Sequence, residues 1–156
     1  MNAESQLAAK LRQLGLELPP APEAKGLYRA IVVSGNLVYT SGHLPTDAAG
    51  KLIVGRLGAE LDVEAGYQAA KSVGLNILAS LQKELGSLDR IRRLVKLLGV
   101  VNCTPSFTQQ PAVINGCSEL FADIFGRELG VGARSAVGVG SLPLGVPVEV
   151  EAIFEI

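Results

Sequence analysis

The residues best suited to chemistry lie near the C-terminus, in two consecutive strand-like segments. Arg134 opens the first segment, and Glu149 and Glu151 alternate with valines in the second. A guanidinium can hold a carboxylate through two parallel hydrogen bonds, and a partly buried carboxylate has a raised pKa that suits proton transfer. Because neighbouring strands lie about 4.8 Å apart, we expect these three side chains to share one small site for an anionic metabolite.

Each of these residues also has a simpler interpretation. Arg134 could form a structural ion pair with Glu149 or Glu151, and the two glutamates could belong to a solvated strand face. The small neighbours Gly132 and Ala133 leave room beside the guanidinium for a ligand. The sequence alone leaves both interpretations open.

His43 is the single histidine of the chain, and it lies in a Gly/Pro-rich loop where a lone histidine is usually incidental. One histidine and the well-separated Cys103 and Cys117 make no credible metal site. No glycine-rich phosphate motif of Walker or Rossmann spacing occurs, so we expect neither a metal nor a cofactor. Both cysteines have apolar neighbours, which predicts buried, reduced thiols.

Length, composition and charge restrict the class of protein. With 156 residues, 48% of them hydrophobic, the chain is expected to form one domain over residues 1–156, in which residues 1–27 are an N-terminal helix and a Pro-rich connector. The net charge of -1 argues against nucleic-acid binding, and the one basic cluster, from Arg90 to Lys96, lacks interleaved aromatic residues. No apolar run suits a membrane span, and Met1 to Ser5 does not resemble a signal peptide, so we expect a cytoplasmic protein.

Hydrophobic periodicity and turn residues predict the elements. In chain order they are a short helix over Ser5–Gly15, an extended connector over Leu18–Ala24, a hairpin of Tyr28–Val33 and Leu37–Ser41, a short strand near Leu52–Val54, a helix from the N-cap Asp62 to Leu85, a strand over Arg90–Asn102, a helix from Pro111 to Gly126, and a C-terminal hairpin that carries Arg134, Glu149 and Glu151.

These elements predict an α+β fold in which two long helices cover one face of a mixed sheet. The segment Leu94 to Val101 is apolar at both strand parities, which is typical of a strand that is buried on both faces. No other segment is long enough to cover the second face. We therefore expect another subunit to cover it, in an obligate homo-oligomer.

Several short motifs together resemble one family. The segment Ser34–Pro45, the tripeptide Ala133-Arg134-Ser135, Leu142-Pro143 and the segment Val148–Ala152 are similar to motifs of the RidA/YjgF family of reactive-intermediate deaminases, also labelled endoribonuclease L-PSP. The resemblance covers roughly Tyr28 to Phe154. The leading helix and connector resemble a longer, less characterised branch.

The resemblance implies a chorismate-mutase-like fold, a barrel-like homotrimer with the sheets facing inward, and ligand clefts between subunits. It also implies an activity, which is the cofactor-independent hydrolysis of reactive 2-imino or enamine acids to 2-oxo acids and ammonia. By motif position, Arg134 would bind the substrate carboxylate and Glu149 would lie near the attacking water. Tyr28 and Ser41 would line the cleft.

The sequence departs from the family pattern at three places. Ala136 stands where cysteine is frequent, His43 where glutamine is frequent, and Cys117-Ser118 where the best-studied members have asparagine. The natural substrate therefore stays open. Two alternatives remain beside the deaminase: a non-catalytic protein that binds a small carboxylate or metabolite, and an endoribonuclease or translation inhibitor, against which the acidic pI counts.

Overall fold

A computed structural model describes residues 5–156. The expectation that the N-terminus is not a signal peptide concerns Met1 to Glu4, which lie outside the described residues. The helices are α1 (Gln6–Gln13), α2 (Val63–Leu85) and α3 (Gln110–Phe125), and the strands are β1 (Ile31–Ser34), β2 (Leu37–Thr40), β3 (Arg93–Asn102), β4 (Ala133–Val139) and β5 (Val148–Glu155). Within residues 5–156, no helix is both long and apolar enough to cross a membrane.

Local sequence signals set the ends of the long helices as expected. The Asp62 side chain accepts a hydrogen bond from the Ala65 amide at the start of α2, and Gly86 ends this helix in a left-handed conformation. Pro111 lies in the first turn of α3, and Gly126 follows its last residue. Both predicted helices are therefore confirmed.

The five strands form one mixed sheet in the order β1-β2-β5-β3-β4. Only β3 and β4 pair in parallel, and the other neighbours are antiparallel. The predicted N-terminal hairpin is confirmed, although its first strand begins at Ile31 instead of Tyr28. The short strand expected near Leu52–Val54 is wrong, because Leu52 makes a single isolated bridge to Thr46.

The predicted C-terminal hairpin is wrong. β4 and β5 do not pair with each other, because β3 lies between them and bonds to both. A parallel β3–β4 pair requires a long crossover, and α3 provides it. The residues between β4 and β5 form a long connection that includes a short 3₁₀ turn, Pro143–Gly145.

Helices α2 and α3 pack side by side on one face of the sheet, as expected. They approach closely at Gly116, where a Cβ atom would collide with the Tyr67 backbone carbonyl. Beneath them lies the core, built from the helix-facing residues of β3 and β5 and from a group of three aromatic rings. The rings belong to Phe121, Phe125 and Phe154.

The opposite face of the sheet is largely uncovered by the chain itself. Cross-strand partners lie on the same face of a sheet, which places six apolar side chains together there. They are Val32, Tyr39, Leu98, Val100, Val137 and Ile153. Val32, Tyr39 and Val137 are 41–47% exposed, and we call this surface the open face.

Candidate functional site

Arg134 lies on the edge strand β4, and its side chain turns toward α3. The Nη1 group donates to Asn115 Oδ1 at 2.8 Å and to Ser118 Oγ at 3.2 Å. Both partners are neutral, so the alternative interpretation of Arg134 as an ion pair with Glu149 or Glu151 is wrong within one chain. The side chain is exposed, and a guanidinium carries five N–H donors, so most of them remain available to a ligand.

Glu149 lies on β5, on the open face, between the buried Val148 and Val150. Its carboxylate rests against Gly42, at a position that a Cβ atom on residue 42 would occupy. Partial burial raises the pKa of Glu149, and repulsion from Glu151 raises that pKa further. The Glu149 carboxylate can therefore pack against the loop after β2 only because residue 42 has no side chain.

Tyr28 and Ser41 lie close to Gly42, in the segment before β1 and the loop after β2. The Ser41 amide donates to the Ala30 carbonyl at 2.9 Å, and its hydroxyl donates to the Arg29 carbonyl at 2.5 Å. These bonds hold the loop after β2 against the segment before β1. Tyr28 is 52% exposed and lines one cleft together with Ser41 and Gly42.

The structure therefore divides the predicted site into two halves. Tyr28, Ser41 and Glu149 gather around Gly42, whereas Arg134 lies two strands away, at about 10 Å by the strand spacing, with its side chain on the other face of the sheet. The expectation that Arg134 shares a site with Glu149 and Glu151 through a hairpin is wrong within one chain, because β3 separates β4 from β5.

His43 is a buried structural residue, 5% exposed, and not a free loop side chain. Its Nδ1 lies 2.7 Å from the Ser41 carbonyl and its Nε2 2.8 Å from Ser80 Oγ on α2. The carbonyl can only accept, so the proton is on Nδ1 and the Ser80 hydroxyl donates to Nε2. Burial lowers the pKa of His43 more than the bond to Ser41 raises it, which favours the neutral ring.

Three features of the site were missed from the sequence or left without a role. Asn115 and Ser118 orient Arg134, and their only signal is a pair of polar residues three apart on an apolar helix, which brings them to one face. The contact between Gly42 and Glu149 had no sequence signal, because it joins residues far apart in the chain. The connector lines the cleft that contains Tyr28, although it was interpreted as a linker.

Both cysteines are buried and free, as expected. Burial raises the pKa of the Cys117 thiol, more than the charge of the nearby Arg134 lowers it. Among residues 5–156, no three His, Cys, Asp or Glu side chains lie close enough together to hold a metal ion.

Comparison with known proteins decides the family. The profile described as "YjgF/chorismate_mutase-like, putative endoribonuclease" matches residues 5–150. The chain belongs to the RidA/YjgF family. Its fold is accordingly the chorismate-mutase-like α+β fold, with a mixed five-stranded sheet and helices on one face.

Within the RidA/YjgF family, the chain is similar to members of a distinct, less characterised branch. It is 44% identical to Protein TCP17 of Trypanosoma cruzi, over 99% of this chain and 96% of that protein. The crystal structure of Atu1372 from Agrobacterium tumefaciens, whose function is unknown, is 42% identical with a TM-score of 0.86, covering 96% of this chain and 91% of that one.

RidA from the Antarctic bacterium Psychrobacter sp. PAMC 21119 is a more distant relative. It is 32% identical with a TM-score of 0.61, over 87% of this chain and 94% of that one. The branch assignment expected from the leading helix and connector is therefore confirmed.

Proposed function

We propose that this RidA/YjgF protein hydrolyses reactive 2-imino acids, and their enamine tautomers, to 2-oxo acids and ammonia in clefts between the subunits of a homotrimer. The observation that carries the proposal is the environment of two side chains, Glu149 and Arg134. Glu149 is a half-buried carboxylate with a raised pKa, held against Gly42 beside Tyr28 and Ser41. Arg134 is oriented by neutral partners and keeps donors available for an anion.

Each half supplies one part of the reaction. A guanidinium clamp on the substrate carboxylate would fix the position of the imine carbon, which is an orientation effect. The Glu149 carboxylate would hold a water molecule against that carbon and accept a proton from it as the C–O bond forms. A raised pKa makes Glu149 a stronger base than an ordinary carboxylate.

The reaction needs only the protonated imine and one water molecule. The protonated imine accepts the water oxygen at carbon, and the C=N electron pair moves to nitrogen. Glu149 passes the water proton to that nitrogen, the C–N bond breaks, and the second water proton leaves with ammonia as ammonium. A 2-oxo acid remains.

A second copy of the chain would complete the site. The open face carries half-exposed apolar side chains beside Lys96, Glu149 and Glu151, and a homotrimer that buries this face would join neighbouring subunits along their sheet edges. Arg134 lies on the edge strand β4 and its side chain is exposed, so a cleft between two copies can combine the Arg134 of one with the Glu149, Tyr28 and Ser41 of the other. The two buried thiols suit a reducing compartment such as the cytoplasm.

Two alternatives predict different results. A carboxylate-binding protein needs Arg134 but not Glu149, whereas the raised pKa of Glu149 points to proton transfer. An endoribonuclease needs a basic surface, and the net charge is -1. The basic cluster, Arg90 to Lys96, lies at the start of β3, away from Gly42 and Glu149.

The test is an assay of the wild-type protein with imines made in place by an amino-acid oxidase, with semicarbazide trapping the imine that remains. We expect faster loss of the imine and faster appearance of ammonia, and we expect Glu149→Gln to remove this effect. Binding of 2-oxo acids without hydrolysis of any imine would favour the binding protein. Cleavage of RNA at physiological salt would favour the endoribonuclease.

A further inference from the structure

The cleft beside the candidate site is walled by the Pro-rich connector. It has a volume of about 320 Å³ and is lined in part by Tyr28, Ser41 and Gly42. Gly42 also contacts the Glu149 carboxylate, so the cleft adjoins the Glu149 half of the site. The rest of its wall comes from several segments of the chain. The connector residues between Pro19 and Lys25 form one side, and the other lining residues come from the segment before β1, the loop after β2, helix α2 and the connection before β5: Ala30, His43, Leu44, Thr46, Gly50, Leu52, Asn76 and Leu144.

The connector is anchored at its start, where Leu18 packs against the core, so it can act as a wall and not as a loose linker. At its start, α1 is docked by Asp89, whose carboxylate accepts from the amides of Gln6 and Leu7 at 3.1 and 3.0 Å. Leu11 of α1 is buried in the core. At its other end, the Lys25 amide donates to the hydroxyl of Tyr28, three residues later, at 3.4 Å, which is a local contact that holds Tyr28 beside the connector. Three prolines between these points restrict the backbone further.

The chemistry of the lining favours an apolar ligand group. The buried polar side chains in it are already hydrogen-bonded within the protein. His43 is bonded to Ser41 and Ser80, and the Asn76 amide donates to the Leu44 carbonyl and to Thr46. The two charged residues, Glu23 and Lys25, are exposed. What remains toward the cleft is largely proline, alanine and leucine.

We propose that this cleft binds the side chain of the substrate and that the substrates are 2-imino acids with branched or aromatic apolar side chains. The inference rests on the proposed function, which puts the imine carbon beside Glu149 and Gly42. A ligand pocket commonly measures about 300–1,000 Å³, and the methyl group of the alanine-derived imine would leave most of this cleft unfilled. Leucine- and phenylalanine-derived imines fit its size and its lining.

The experiment narrows the cleft with a bulky side chain placed on either of two segments of its lining. Ala24→Trp does so from the connector and Leu52→Trp from the loop after β2. The kcat/KM of each variant is measured with the imines derived from alanine, leucine and phenylalanine. We expect a loss on the order of tenfold or more for the leucine- and phenylalanine-derived imines, the size that a few methylene groups carry in an apolar pocket, and a change within about twofold for the alanine-derived imine.

Ala48→Trp is the matched control, because Ala48 is exposed and lies outside the cleft lining. It should leave the kcat/KM for all three imines unchanged. Melting temperature and native mass, measured for every variant, separate loss of folding from loss of the pocket. An equal loss on all three imines by a folded variant would overturn the inference, and so would no loss on the larger two.

A failure of the proposed function gives a different result from a failure of the pocket. If the wild-type protein hydrolyses only the alanine-derived imine, the deaminase stands and the pocket is wrong. If it hydrolyses none, calorimetry compares pyruvate with 4-methyl-2-oxopentanoate. Tighter binding of the larger acid, lost in Ala24→Trp and kept in Ala48→Trp, would support the pocket for a binding protein, and equal affinities would overturn it.

Discussion

At the scale of single residues, Arg134 has two possible roles that the structure separates. It contacts Asn115 and Ser118 rather than a carboxylate, so removing it leaves no glutamate of the same chain without an ion-pair partner. A structural ion pair would make the arginine important for stability. A ligand clamp would make it important for activity alone.

We expect Arg134→Ala to lower kcat/KM for 2-imino acids at least about a hundredfold while the protein stays folded. A bidentate contact to a carboxylate contributes about 2–3 kcal/mol, misorientation adds to the loss, and each 1.4 kcal/mol is a factor of ten. Arg134→Lys should recover little, because an ammonium cannot make the planar two-point contact. The measurements are steady-state kinetics and the melting temperature.

The matched control is Arg93→Ala, which removes an exposed arginine at the start of β3. It should change neither kinetics nor melting. If Arg134→Ala lowers the melting temperature and keeps the activity, the arginine is structural and the clamp is wrong.

Glu151 gives a second prediction, because its negative charge contributes to the raised pKa of Glu149. A base must be deprotonated, so activity should fall at low pH as Glu149 takes up its proton. Glu151→Gln removes the repulsion and lowers the pKa of Glu149, so the acidic limb of kcat/KM should move to lower pH. The check is a pH profile of both proteins. An unmoved limb would show that another group sets it.

The sequence allowed the chemistry of the site residues to be predicted, but not their arrangement in space. A guanidinium between small residues and a glutamate among valines indicated anion binding and proton transfer, and both lie at accessible positions. Their separation was not predictable, because strand alternation specifies which face a residue occupies but not which strand is its neighbour. The contact between Glu149 and Gly42 depends on that pairing.

At the scale of elements, the helices and the first hairpin followed from local signals, and the C-terminal pairing did not. Asp62, Gly86 and Pro111 act on their own helices, so their effect can be read from the sequence. β4 has two candidate partners, β5 and β3, that both offer apolar residues. The choice of β3 depends on how α3 packs on the sheet, which is a tertiary effect.

His43 links two elements, and its effect on stability should depend on pH. Its pKa is lowered from the ordinary 6.5, so below about pH 6.5 the unfolded chain binds more protons than the folded chain, and stability falls as the pH drops. We expect the melting temperature to decrease from pH 7.5 to about pH 5 and His43→Gln to flatten this decrease.

Ser80→Ala is the control for this prediction. It removes one hydrogen bond to the ring but keeps the titrating group, so the pH dependence should remain while the overall stability falls. The chain has one histidine, so the difference between wild type and His43→Gln reports on this residue. Parallel pH curves for these two proteins would contradict the assignment.

At the scale of the whole molecule, the arrangement of the sheet separates Arg134 from Glu149 within one chain, and the open face offers a surface on which copies can join. If the proposed homotrimer forms, its mass in light scattering is three times that of the 16.3 kDa chain. Each cleft then takes its arginine from one subunit and its glutamate from the next. Every cleft is thus shared between two subunits. A substitution of Arg134 or Glu149 in one subunit then inactivates only the one cleft to which that subunit contributes the substituted residue.

Mixed trimers give the last prediction. Arg134→Ala and Glu149→Gln chains are each expected to be inactive alone, because every cleft of either homotrimer lacks one group. When the two are unfolded together in equal amounts and refolded, about one cleft in four combines an intact arginine with an intact glutamate, if copies mix at random in a cyclic trimer. We expect the mixture to recover about a quarter of the wild-type activity. Refolding each variant separately before mixing should recover none. A trimer of confirmed mixed composition that stays inactive would show that the two residues do not act in one intersubunit cleft.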